Sequence, residues 1–166
     1  MIPSILNPPL LAMDYEGIYR KTGGSSQSKA ITQLFERGNY DAFDLTDLDS
    51  FNDISSVTSV LKTYFRSLPN PLLTFALHES FIAAAGGFII SLLGFLSLTS
   101  SLALGLREPR EKHTALLAVV GNLPKEHYET VRFLMLHLHR VQAHSQENLM
   151  NARNLGVVFG RKYRLI

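Results

Sequence analysis

A chain of 166 residues, 46% of them hydrophobic and 18% charged, is long enough to bury one core and too apolar for a disordered segment. The net charge of +2, with Lys and Arg scattered along the chain, excludes a dedicated nucleic-acid surface, and the absence of cysteine excludes disulfides, thiolate metal sites and a cysteine nucleophile. The lack of cysteine and of any Asn-x-Ser/Thr acceptor suits a cytoplasmic protein.

Residues 1–13 form an irregular lead-in, because Pro3, Pro8 and Pro9 block a helix there and no basic, apolar secretory signal is present. Asp14 to Gly24 reads as a short stretch closed by turn residues, which puts Arg20 on or beside a loop, with Gly17 permitting the turn that presents it. Ser25 or Ser26 is expected to cap a helix running to Arg37, with Ile31, Leu34 and Phe35 on one face and Gly38-Asn39 as its stop. The acidic run Asp41 to Asp53 has no helical period and reads as a surface connection.

Asp53 is placed to cap a strongly amphipathic helix carrying Ile54, Val57, Val60, Leu61, Tyr64, Phe65 and Leu68, ended by Pro69-Asn70-Pro71. Lys62 and Arg66, four apart, share one face of it and by themselves read as a solvated face. Further helices are predicted from near Leu77, over Glu111–Val120, from Pro124 to near Ser145, and over Asn151–Val158. No period-two alternation persists, so the fold class is all-α. Residues 24–30 lack the glycine and hydroxyl of a phosphate loop, and His137, His139 and His144 do not share a helix face that would converge on a metal.

Four blocks in order, Glu16-Gly17-Ile18-Tyr19-Arg20, Leu61 to Leu73, Leu123-Pro124 with His127-Tyr128, and Asn154 to Gly160, resemble the Rho GTPase-activating (RhoGAP) domain family. The style of the sequence is similar to fungal multidomain members. The resemblance implies an all-α, RhoGAP-like helical bundle that docks on the GTP form of a Rho-family small GTPase, of Rho, Rac or Cdc42 type, and supplies an arginine in trans. It assigns Arg20 the finger position, Lys62 and Arg66 the basic pair that meets the GTPase and helps hold the finger loop, and Asn154 the asparagine that completes this cluster on one shared face. It also implies an activator with no cofactor of its own, since GTP and Mg²⁺ belong to the partner.

Two departures stand out against that pattern. Residues 86–106 form an uncharged apolar stretch with no family counterpart, inside a RhoGAP-like domain expected at 14–160. About 20 apolar residues span a bilayer, so a membrane segment is one reading and an inserted helix another. A retained intron is favoured over both because the pattern is clean on either side. The tail, 161–166, is basic where the family continues with proline and further helices, so the bundle is expected to be incomplete at both ends. A non-catalytic GTPase-binding remnant is the alternative function, and membrane contact is expected only through other domains or the insertion.

Overall fold

The computed structural model describes residues 13–38, 53–84 and 109–160. The acidic connection up to residue 52, the apolar stretch 86–106, the tail 161–166 and all but the last residue of the lead-in lie outside them. Among the described residues the regular structure is entirely helical, with α1 Ser25–Glu36, α2 Ile54–Ser67, α3 His78–Ala84, α4 Pro109–Gly121, α5 Lys125–Ala143, α6 Ser145–Asn148 and α7 Ala152–Phe159. None of these helices is long and apolar enough to cross a membrane.

Local chemistry explains most helix ends. The Asp53 carboxylate accepts from the Ser55 amide at 2.9 Å and starts α2, as its position predicts. Asn151 starts α7 in the same way, accepting from the Asn154 amide. The predicted serine cap of α1 is corrected: Gly24 is the N-cap, makes no side-chain bond, and Ser25 is already helical. Gly38, at φ +72°, ends that helix by donating its amide to the Phe35 carbonyl. The single turn α6 was not legible in the sequence. It follows α5 after one residue and ends in Leu149 at φ 59°.

The chain divides into two compact units, Met1–Leu72 with Thr130–Leu165, and Leu73–Glu129. In the first, α1 packs on α2, and the apolar faces of these helices bury Ile31, Phe35, Val57, Val60, Leu61 and Phe65, whereas Leu34, expected on the same face of α1, is 37% exposed. Val131, Leu134, Leu138 and Val141 of α5 and Leu155 and Phe159 of α7 are buried as well. Burying each such side chain is worth roughly 1.5–3 kcal/mol before the entropy of ordering it, which makes this unit a firm frame for the loop it carries. In the second unit α3 packs on α4, with Phe81, Ala84 and Leu123 buried.

Candidate functional site

The segment from Met13 to Gly24 has no helix or strand, yet it is tied down at many points. Gly17, at φ +72°, donates its amide to the Asn148 carbonyl at 2.8 Å, and its own carbonyl accepts from the Arg20 and Lys21 amides. Only glycine takes this left-handed backbone at little cost, so the turn that presents Arg20 depends on it. Gly23 lies so close to α2 that a Cβ there would come 2.1 Å from the Ser56 amide nitrogen. Its amide donates to the Ser59 hydroxyl at 3.2 Å.

Asn148 is the central anchor of this loop. Wholly buried, it donates from Nδ2 to the Met13 and Val141 carbonyls, both at 2.7 Å, and accepts from the Met150 amide at Oδ1. Together with its carbonyl on Gly17, these bonds satisfy the side chain and join the loop to α5 and to the chain leading into α7.

Arg20 is exposed, and its guanidinium has no hydrogen-bond or ion-pair partner among the described residues. The backbone around it is fixed from α2. Lys62 Nζ donates to the Tyr19 carbonyl at 2.6 Å and to the Lys21 carbonyl at 3.3 Å, one on each side of Arg20. Lys62 is only 5% exposed, so its reading as part of a solvated face is corrected, because its ammonium turns inward onto loop carbonyls. Arg66, one turn on, is exposed and donates to the Thr63 hydroxyl at 3.0 Å, as a solvated face requires.

Lys62 and Arg66 also line a cleft of about 510 Å³ between α1 and α2, together with Thr22, Ser25, Lys29 and Ser59. Asp53, the N-cap of α2, also accepts from the Gly24 amide. Burial works to raise its carboxyl, but hydrogen bonds from the Ser56 hydroxyl and from the Gly24, Ser55 and Ser56 amides outweigh it and hold the group below its ordinary value.

Asn154 is placed differently. Its Nδ2 donates to the Leu149 carbonyl at 2.8 Å, closing the turn that ends α6, and it makes no bond to Arg20, Lys62 or Arg66 among the described residues. One turn after it, Val157 is 72% exposed on a helix whose other face is buried, a feature the sequence reading did not single out although the i, i+3 spacing from Asn154 carries it. Of the histidines, His137 is buried and His139 exposed, while His144 gathers at the surface with Asp14, 2.8 Å away, and Glu147. Surface acidic groups often gather so without an ion.

Comparison with known proteins sharpens what this geometry can do. Residues 10–163 match the RhoGAP domain family model. Over 148 residues, 89% of the chain, it is 36% identical to human N-chimaerin, of which it spans 28%. It is 39% identical over 147 residues to the probable Rho-type GTPase-activating protein 4 of Schizosaccharomyces pombe, spanning 13% of that protein. The chain therefore spans well under two thirds of these curated relatives, and relatives at this level occur in mammals and fission yeast alike. The crystal structure of human Rho GTPase activating protein 15 shares the fold, with a TM-score of 0.76 over 97% of this chain and 66% of that one, at 24% identity.

Proposed function

The chain belongs to the RhoGAP domain family, and from that premise we propose that it accelerates GTP hydrolysis by a Rho-family small GTPase of Rho, Rac or Cdc42 type, with Arg20 as the residue that enters the partner's site. The observation that carries this reading is the contrast at residues 19–21, where an exposed guanidinium without a partner among the described residues extends from backbone held on both sides by Lys62. Phosphoryl transfer builds negative charge on the bridging and γ-phosphate oxygens. A cationic fork held ready beside them stabilises that charge without reorganising at the moment of reaction. An arginine supplied in this way is worth roughly 10³ to 10⁵ in rate for GTPases generally.

In this reading Lys62 sets the loop, Arg66 and Asn154 belong to the face that meets the GTPase, and Val157 offers that face an apolar contact. Interfaces of this kind draw their affinity from a few desolvated anchors within a polar surround, and an exposed valine can serve as one. GTP and its Mg²⁺ are the partner's, so the chain needs no cofactor, and the site of action is the cytoplasm where such a partner works. Single-turnover hydrolysis by Rho-, Rac- and Cdc42-type GTPases, with and without the chain, tests the reading. Acceleration lost in Arg20→Ala supports it; a folded, GTPase-bound chain that gives no acceleration leaves a binding module instead.

A further inference from the structure

We propose that the buried hydrogen bond between Tyr19 and His137 is the lock that aims Arg20, which makes His137 of α5 a positioning residue for the GTPase reaction. The proposal rests on the arginine reading above and adds what determines the direction of that arginine. With no partner for its own guanidinium among the described residues, Arg20 takes its direction from the backbone of its neighbours.

Tyr19 is the neighbour that is fixed most firmly. It is 2% exposed and sits at φ 69°, a left-handed backbone that a bulky aromatic residue avoids unless its surroundings hold it there. Three elements do so. Lys62 of α2 holds its carbonyl, and Phe159 of α7 packs edge-on against its ring, with centroids 4.9 Å apart. His137 of α5 meets it twice, edge-on at 5.7 Å and through Nε2, which faces the phenol oxygen.

The ring contacts alone would be met equally well by phenylalanine facing an aliphatic residue, and either would be easier to bury. What the phenol and imidazole add is direction. Burial pushes the Tyr19 hydroxyl above its ordinary value, so it stays protonated and can donate to His137 Nε2. Such a bond tolerates one rotamer at each end, whereas an apolar pair can slide. A slide at Tyr19 would pass straight into the peptide bond that carries Arg20.

The test separates this role from packing. Tyr19→Phe and His137→Leu alone each leave a buried polar group without its mate and are expected to lower the melting temperature. The double variant removes both groups and should melt within a few degrees of the parent. In single-turnover assays against the responsive GTPase, the double variant should reach half-saturation at a concentration within about twofold of the parent, while its maximal rate falls roughly tenfold, the scale expected of a misaimed group. His137→Gln, which can still accept from the phenol, should recover part of that rate.

A double variant that is stable and runs at the parental maximal rate overturns the proposal. Should the double variant not fold, Tyr19→Phe at a temperature where it is folded gives the same readout, and an unchanged maximal rate there overturns it equally. Arg20→Ala is run alongside. If it keeps the parental rate, the arginine reading fails and takes the lock with it; if it loses the rate while the lock variants keep theirs, only the lock falls.

Discussion

The Met13–Gly24 loop and helix α4 invert the usual expectation about order. The loop has no regular secondary structure, yet Gly17, Tyr19, Gly23 and the carbonyls flanking Arg20 are held by residues 36 to 131 positions away in sequence. Helix α4 is regular over 13 residues, yet none of its residues from Arg110 to Gly121 is fully buried, and Leu117 is 57% exposed. Regular hydrogen bonding therefore does not measure how firmly a segment is embedded. Polar anchors into a core can fix an irregular segment more tightly than a helix lying on the surface, which is what a loop presenting a reactive side chain needs.

The largest test of the contrast is Arg20→Ala. If the loop is ordered in order to present this residue, stimulated single-turnover hydrolysis should fall by about 10³-fold or more. The melting temperature should stay the same, because an exposed side chain without partners among the described residues contributes little to stability.

Next is Lys62→Met, which keeps the apolar stem and removes the two loop bonds. Hydrogen bonds to a charged group are worth about 1.5–3 kcal/mol, so denaturant unfolding should show a loss of that order. A finger loop released by about 1 Å should also cost roughly 10²-fold in maximal rate. Arg66→Ala on the same helix should change stability by less than about 0.5 kcal/mol and act mainly on the GTPase concentration needed for half-saturation. If the two variants behave alike, the distinction between the buried and the exposed cation is wrong.

A glycine in each region sharpens the comparison further. Gly23→Ala forces a methyl against the Ser56 backbone and should destabilise the chain by about 1–3 kcal/mol, read from the urea midpoint. Gly121→Ala at the end of α4 meets no atom within 4 Å and should be neutral or stabilising by about 0.4–1 kcal/mol, through the unfolded chain.

The smallest effect concerns Asp53, which joins the start of α2 to the Gly24 amide. Its carboxyl is held below its ordinary value in the folded chain. Its contribution is therefore fully present above the unfolded value near about 3.9 and is lost as pH falls through the lower folded one. Comparing urea midpoints of the parent and Asp53→Asn, the parent should lose ground as pH drops below about 4, while the two run parallel above about pH 5.

Much of this molecule was legible in the residues themselves. The caps at Asp53 and Asn151, the stop at Gly38, the apolar faces of α1, α2 and α5 and the loop position of Arg20 all follow from interactions between residues at most four apart, and such spacing is visible in a linear chain. The missed cap at Gly24 shows the limit even there: Ser25 and Ser26 promised a cap, but the close approach of Gly23 to α2 decided where the helix begins.

What only the tertiary structure decided lies across long separations. Tyr19 meets His137 over 118 positions, Asn148 reaches Met13 over 135, and Lys62 turns inward while Arg66, four residues on, stays in water. No local periodicity encodes such pairings. They form when the core closes and brings distant backbone carbonyls and amides together, where each buried polar atom must find a partner or destabilise the fold. The sequence by itself thus determined which arginine stands on the loop, and the closed core determined that the loop holds still.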